Sequence, residues 1–492
     1  MFEKILIANR GEIATRIIQT CREMGIHTVA LYERPDKGSR HVRIADECVL
    51  LDAPDGFMNQ DAILQIAQDT GAEAIHPGYG YLAEEPEFVH ACEAAGVAFV
   101  GPNSVILETL RNKIRALAAV RAAGFPVVDY APIAFDKDDM GALDAAANLI
   151  GYPLIVKSCR GGRSSTERLL RSPQRLKQVV RRAQAEAYAM YGNRRVYLEK
   201  AVLPAHQIGV QILGDRQGNI IHLGERDGSA VYSNRKIVEE APAPFLTDEK
   251  RRELWEMALG IARLFKYENA GTVEFLVDVE GNFFFTEVKA RIQVDHVLAE
   301  MMTRIDLVGE QIRLAAGELL NRAQEDVRLD GWAMMCRIHA EDPWHSLPSP
   351  GHLRRVRFPG GPGIRVDTYV YSGCDVPAKY HSLIAKLAVW AEARPQCLKR
   401  MRRAIEDFQL VGTPTNLPLL QHVLCSEFYG NGRYNTSSLS RNFDCAPQDD
   451  IYYRDLAVIA AMLYVRRNQM FHPTVPPRTL NGWHQDSRRL PE

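Results

Sequence analysis

A chain of 492 residues exceeds one ordinary core, so two to four domains are expected. Its 46% apolar and 25% charged residues fit a soluble folded protein, and 60 basic against 61 acidic residues leave a net charge of −1. That balance lacks the basic surplus of a nucleic-acid binder, and no run approaches the roughly 18–20 apolar residues of a membrane span.

The opening, Met1 to Arg10, reads as a strand entering a turn rather than a signal peptide. Nine cysteines without a C-x-x-C pair fit buried thiols in a reducing compartment, so a cytoplasmic protein is expected. Residues 4–8 form an apolar run, and Ile13, Ile17, Ile18 and Cys21 follow at helical spacing. Apolar runs at 28–32, 73–76 and 97–100 alternate with helical stretches at about 59–69 and 86–95. The alternation predicts a parallel, doubly wound α/β sheet over roughly 1–112. One glycine stands where a dinucleotide fingerprint needs three, which favours an α/β domain without such a nucleotide there.

From about 113 the texture changes. Ile155-Val156-Lys157 reads as a strand, followed by an Arg-rich loop, a long basic helix to about 190 and a β-rich stretch over 196–290. Within it, Ile208 to Ile221 forms one predicted hairpin and 272–288 a second, around Glu280-Gly281-Asn282. Residues 331–445 make another mixed unit with Gly/Pro punctuation, and an apolar helix at about 451–467 precedes a segment rich in Pro and Arg. Domains are therefore expected at 1–112, 113–330 with a lid at about 132–203, 331–446, and a helical tail at 447–492.

The second hairpin carries the clearest chemistry. A turn at Glu280-Gly281 sets Glu274 opposite Glu287, and a turn one residue later sets it opposite Lys289 on the same face. Paired carboxylates across strands repel unless something positive lies between them. A magnesium ion that takes one or two carboxylates and fills its shell with phosphate and water is one answer. A surface pair solvated separately is the other. If the chain stays extended, Lys289, Arg291, Gln293 and Asp295 continue along that face, a ladder suited to anion recognition beside a base.

Arg291-Ile292-Gln293-Val294-Asp295-His296 closely resembles the R-I-Q-V-E-H signature of biotin carboxylases, which are ATP-grasp enzymes. Other segments agree in order and spacing: Ile7 to Ala14, Ile75 to Leu82, Gly101-Pro102 with Lys113, Val238 to Pro244, and Arg337 to Pro343. The likeness spans about residues 1–445. It implies a multidomain α/β fold: a doubly wound N-terminal domain, an ATP-grasp domain with a lid, and a C-terminal α+β domain. It also implies a reaction in which MgATP and bicarbonate carboxylate biotin carried on a separate protein. No A-M-K-M-like biotinylation site occurs in this chain.

Carried over by position, Asp295, Arg291, Arg337 and Lys236 are the implied catalytic set. Lys113, Lys157, Gly161, Gly162, Glu199, Lys200, Gln293 and Val294 are the implied nucleotide, bicarbonate and biotin contacts, and Glu274 and Glu287 the metal carboxylates. Implied partners are a biotin carboxyl carrier protein and carboxyltransferase subunits of an acyl-CoA carboxylase. A homodimer, or a heteromer with a related biotin carboxylase, is implied as well.

The sequence departs from the family at the nucleotide. After Lys157-Ser158-Cys159-Arg160 only Gly161 and Gly162 remain of a longer glycine run, which thins the backbone cradle for phosphate. Gln207 stands where the family has His, Val231 and Asn234 where it has Gln and His, and Lys289 where it has a metal-shell Asn. Asp295 replaces the Glu base, one methylene shorter; a misplacement of about an ångström costs on the order of a hundredfold in rate. Two readings follow: a working biotin carboxylase subunit, or a catalytically impaired or inactive paralogue with a structural or regulatory role. A third, an ATP-grasp ligase for another carboxylate, is disfavoured because the biotin-pocket motif is the part best kept. The stretch from Tyr452 weakly resembles the segment that joins biotin carboxylases to later domains in longer carboxylase subunits, or is an ordinary C-terminal helix.

Overall fold

A strand covered by helices on both faces must be apolar throughout, and β1 (Lys4–Ile7) buries Ile5, Leu6 and Ile7 completely in the computed structural model. The structure describes residues 1–136, 140–160, 169–439 and 451–470. Helix α1 (Gly11–Glu23) turns the predicted Ile13, Ile17, Ile18 and Cys21 into the core. Then come β2 (His27–Tyr32), α2 (Arg40–Ile44), β3 (Glu47–Leu50), α3 (Gln60–Asp69), β4 (Ala74–His76), α4 (Pro86–Ala94) and β5 (Ala98–Phe99). The sheet is parallel in the order β3-β2-β1-β4-β5, doubly wound as predicted. Strand β3 was not foreseen, because an edge strand with no buried residue carries no apolar run. The order reverses between β1 and β4, where such sheets bind ligands. There Asn9 Nδ2 donates to the carbonyls of Pro77 at 2.7 Å and Tyr79 at 2.9 Å, stitching the two loops together.

Helices α5 (Ser104–Arg111) and α6 (Lys113–Ala122) lead to a small unit with its own core. In it α7 (Met140–Ile150) and α8 (Leu176–Tyr191) pack on β6 (Leu154–Ser158), β7 (Leu169–Leu170) and β8 (Val196–Lys200), with Leu143, Val156, Leu176, Val180 and Leu198 buried between them. The loop calls on Gly161, Gly162 and the residues to Glu167 fall outside the described residues.

The main sheet is built from β9 (His206–Gly214), β10 (Ile220–Tyr232), β11 (Arg235–Ala241), β12 (Asn269–Val277), β13 (Phe283–Lys289) and β14 (Trp332–His339), with α9 (Asp248–Leu264) inserted after β11. The predicted β-rich stretch thus holds a 17-residue helix. Its signals were present: Thr247 caps Lys250 N, Asp248 and Glu249 fill the first turn, and Leu254, Ala258, Ile261 and Ala262 share one face. After α10 (His296–Thr303) and α11 (Leu307–Ala315), the chain adds short strands β15 (Gly351–Leu353) and β16 (Arg355–Arg357), then β17 (Ile364–Thr368), β18 (Cys374–Val376), β19 (Leu383–Ala391), α12 (Arg394–Asp407), β20 (Gln409–Val411), α13 (Leu417–Cys425) and α14 (Glu427–Gly430). The eight-stranded sheet runs β13-β12-β9-β10-β11-β14-β19-β17. It therefore crosses the domain boundary drawn at 330/331 without interruption, Val238 pairing with Cys336.

A second unit contains α15 (Ile451–Met470), on which Leu456, Val458, Ile459, Met462, Leu463, Tyr464 and Val465 are exposed. Among the described residues no helix is long and apolar enough to cross a membrane.

Candidate active site

Glu274 and Glu287 stand opposite each other in the β12–β13 ladder. The turn that produces this is not the two-residue one expected. Val277 faces Phe283, and Asp278 Oδ1 closes the loop by accepting from Glu280 N and Asn282 N at 2.9 Å each. The register then slips at Thr286, which bulges from the ladder and donates to the Glu274 carbonyl at 3.0 Å. Without that bulge Glu274 would face Thr286. The chain also does not stay extended: β13 ends at Lys289 and residues 290–295 turn into α10, so the predicted ladder of Lys289, Arg291, Gln293 and Asp295 becomes a loop of separate contacts.

Gln293 and Asp295 meet a buried hub that sequence reasoning passed over, Arg226 of β10. Arg226 Nε lies 2.9 Å from Asp295 Oδ2, and its Nη2 donates to Thr272 Oγ1 at 2.9 Å and to Gln293 Oε1. Gln293 Nε2 donates in turn to Glu274 Oε1 at 3.0 Å. From β14, Arg337 clamps Glu239 Oε2 through Nε at 2.9 Å and Nη2 at 2.5 Å, and lies 3.8 Å from Asp295 Oδ2. Lys236 Nζ stands 3.5 Å from Glu239 Oε1, 3.8 Å from Glu274 Oε2 and 4.0 Å from Asp295 Oδ2. A Cβ at Gly228 would lie 2.7 Å from Lys236 Cε, so glycine there lets the ammonium cross β10. Three cations and three carboxylates thus share one cluster that is largely shielded from solvent, Lys236 being its most exposed member. Burial pushes the Asp295 carboxyl up, but Arg226, Lys236 and Arg337 outweigh it and hold Asp295 well below the usual carboxylate range. Burial, helped by Asp295, pushes Glu239 up to about 7 against the pull of Arg337.

Arg291 is turned aside to the N-terminal domain. Its Nε donates at 3.0 Å to Glu84 Oε2, and Glu84 Oε1 accepts from Ala290 N at 3.1 Å. Glu84 comes from the loop after β4, at the point where the parallel sheet reverses. Nothing in its local sequence marks it, because its partner is 207 residues away.

The nucleotide-side residues form a second group. Glu287 is held between Lys289 Nζ at 2.8 Å and Lys113 Nζ at 3.2 Å. Burial raises the Glu287 carboxyl, yet Lys113, Lys289 and Lys157 together keep it far below its ordinary value. Lys157 Nζ is 2.7 Å from Glu199 Oε1, and Tyr197 OH donates to Glu199 Oε2 at 2.9 Å. Lys200 does not join them; its ammonium donates to the carbonyls of Gly151 at 3.1 Å and Tyr152 at 2.9 Å, at the end of α7. Val294 packs its side chain among Val297, Leu298 and Met335, leaving only its backbone for a ligand. Arg160 is 3.4 Å from Glu87. Among the substituted positions, Val231 pairs with Lys236, and Asn234 has φ of 59° in the β10–β11 turn, where asparagine is well tolerated. Lys289, which the sequence places on the face of both carboxylates, offsets one of them. It reaches Glu287, whereas Glu274 is served by Gln293 and Lys236.

Among the described residues no three His, Cys, Asp or Glu side chains cluster as a metal cage. Magnesium on a nucleotide needs only one or two carboxylates. Glu274 fits that need, since the ammonium of Lys236 is 3.8 Å from Oε2, beyond hydrogen-bond range. Glu287 fits it only when Lys289 withdraws from Oε1.

A doubly wound sheet, a small lid-like unit and an antiparallel core bearing facing carboxylates define an ATP-grasp protein. Family models match in the same order: "Biotin carboxylase, N-terminal domain" over residues 1–107, "Carbamoyl-phosphate synthase L chain, ATP binding domain" over 112–323, and "Biotin carboxylase C-terminal domain" over 335–441. A biotin carboxylase of Nostoc sp. is 41% identical over 440 residues, 89% of this chain and 98% of that protein. The 2-oxoglutarate carboxylase small subunit of Hydrogenobacter thermophilus is 40% identical over 457 residues, 92% of this chain and 96% of the relative. The solved biotin carboxylase domain dimer of the Hydrogenobacter 2-oxoglutarate carboxylase, in complex with MgADP, ADP and bicarbonate, superposes with a TM-score of 0.87 at 41% identity, covering 90% of this chain and 98% of that one. The chain belongs to the biotin carboxylase family.

Proposed function

We propose that this chain is the biotin carboxylase subunit of a biotin-dependent acyl-CoA carboxylase, using ATP and bicarbonate to carboxylate biotin on a separate carrier protein. The assembly of buried Arg226, Arg337, Gln293 and Asp295 with half-buried Lys236 carries the reading, because burying so many charges costs stability that the fold alone gives no reason to spend. In this reading Arg337 and Lys236 stabilise negative charge on the substrates, Arg291 does so after leaving Glu84, and Asp295 accepts a proton. Gln293 and the Val294 backbone orient bicarbonate. Lys113 and Lys157 serve the phosphates, and Glu199 with the Lys200 backbone serves the nucleotide base. Glu274, and Glu287 once freed, hold magnesium. That ion supplies charge neutralisation across the phosphate oxygens.

Relatives named as subunits, and one solved as a dimer, support a carrier protein, a carboxyltransferase and a homodimer or related heteromer as partners. Bicarbonate-dependent ATP hydrolysis, stimulated by free biotin in the presence of magnesium, tests the reading. A rate clearly above background supports it.

One observation favours a second reading. Lys289, 2.8 Å from Glu287, places a fixed single charge where a dication would bridge. A subunit so arranged would serve a carboxylase complex without turning over. It predicts no biotin-stimulated hydrolysis from the chain alone, and recovery of the chain in complex with an active biotin carboxylase.

A further inference from the structure

Glu239 and Asp295 are each nearly inaccessible, and each keeps one oxygen, Oε1 and Oδ1, buried without a hydrogen-bond donor. Leaving such an atom unsatisfied is costly, and more so when it is charged. The two carboxylates flank the same cations: Lys236 Nζ lies 3.5 Å from Glu239 Oε1 and 4.0 Å from Asp295 Oδ2, and Arg337 Nη2 lies 2.5 Å from Glu239 Oε2 and 3.8 Å from Asp295 Oδ2. A proton between them satisfies both oxygens at once, as in carboxylate pairs that cannot both ionise. Every other oxygen of the pair is already occupied: Glu239 Oε2 by Arg337, and Asp295 Oδ2 by Arg226.

We infer that Glu239 and Asp295 share a single proton, resident on Glu239 Oε1 and donated to Asp295 Oδ1, and that this proton makes the pocket a receptor for one small planar monoanion. The inference rests on the proposed location of the bicarbonate site. While Arg291 stays paired with Glu84 and both carboxylates are ionised, Arg226, Lys236 and Arg337 are balanced by Glu239, Glu274 and Asp295, and an incoming anion would add a surplus negative charge. With the proton in place the group carries one net positive charge, matched to hydrogencarbonate. The groups that face Glu239 are Lys236 on its own strand β11, Arg337 from β14 and Asp295 from the loop before α10. Arg226 of β10 reaches it through Asp295, and Glu274 of β12 through Lys236. Glu239 is thus a positioning residue. It sets the charge and orientation of Asp295, and its proton makes anion affinity depend on pH.

Sodium formate is a suitable probe, being planar, singly charged and free of its own titration near neutrality. Formate affinity of the wild type, by calorimetry, should fall by up to about tenfold per pH unit above roughly pH 7, because the site releases a proton as it empties. Glu239→Gln keeps the acceptor for Arg337 and a donor for Asp295 but cannot ionise, so its formate affinity should be flat over the same range. Infrared difference spectra between pH 6 and 8.5, roughly that interval, should show one protonated-carboxyl band lost on raising the pH, absent from Glu239→Gln. In Asp295→Asn, which removes the negative neighbour, the band should titrate at lower pH. A pH-independent wild type, or a carboxyl band unchanged in both variants, overturns the inference. The infrared measurement needs neither ATP nor turnover. An inactive chain that shows the band contradicts the proposed activity alone, and an active chain without it contradicts this inference alone.

Discussion

The two ends of the site keep their charges by different means. Around Arg226 the cations and carboxylates come from β10, β11, β12, β14 and the loop before α10, and each holds another in place with almost no water. At Glu287 the counter-charges are two lysine side chains on flexible stems, one of them standing where the family has an amide. Under the proposed function the first end is a preorganised receptor, and the second a neutralised one whose occupation by phosphate-bound magnesium requires an amine to move. On that reading, recognition of a small anion and activation of a nucleotide could be lost or kept independently.

Removing the hub tests the first half of that contrast. Arg226→Ala should lower the unfolding free energy by about 3–5 kcal/mol, as breaking a buried ion pair does; a loss under about 1 kcal/mol in urea melts would show that the cluster is hydrated. The second half is tested by Lys289→Asn, which should raise magnesium-dependent ADP affinity on the order of tenfold by calorimetry. Equal affinities would mean that the amine already yields to the ion.

Proton linkage separates the ends in smaller steps. The folded state holds the Glu287 carboxyl below its ordinary value of 4.5, so the unfolded chain binds more protons there and stability is lost as pH falls below about 5. Glu239 has the opposite sign: raised to about 7, its contribution is present at low pH and fades as pH rises through 7. Glu287→Gln should flatten the acid limb of a melting-temperature profile, and Glu239→Gln the neutral limb. As a surface reference, Arg34→Ala, which removes the exposed pair with Asp52 at 2.6 Å, should leave the melting temperature unchanged within the error of the measurement.

Much of this was legible in the chain. Ile5 to Ile7 and the helical stripe after Gly11 announced the parallel sheet, and the hairpin signals placed Glu274 and Glu287 on facing strands. The pairing was right for a reason the sequence hides. A one-residue shift of register at the turn and a bulge at Thr286 offset one another, and a bulge has no period to read. Arg226, and Glu239 within the segment Val238 to Pro244, were not singled out as site residues, because a charge in a strand of mixed polarity looks like an outward-facing residue until the partner strands are known. Glu84 could not be placed at all, since only the tertiary fold brings it to Arg291. The helix at 248–264 is a different failure: its cap and stripe were visible, and the surrounding strand signals overrode them.

The pairing of β11 with β14 has a genetic consequence. A coding sequence cut at residue 331, the natural-looking seam, would strip Arg337 from Glu239 and expose the amides of β11 as a bare edge ready to recruit another chain. Fusions, splits or swaps with other carboxylases should therefore join upstream of β9 or downstream of α14, where no ladder is severed.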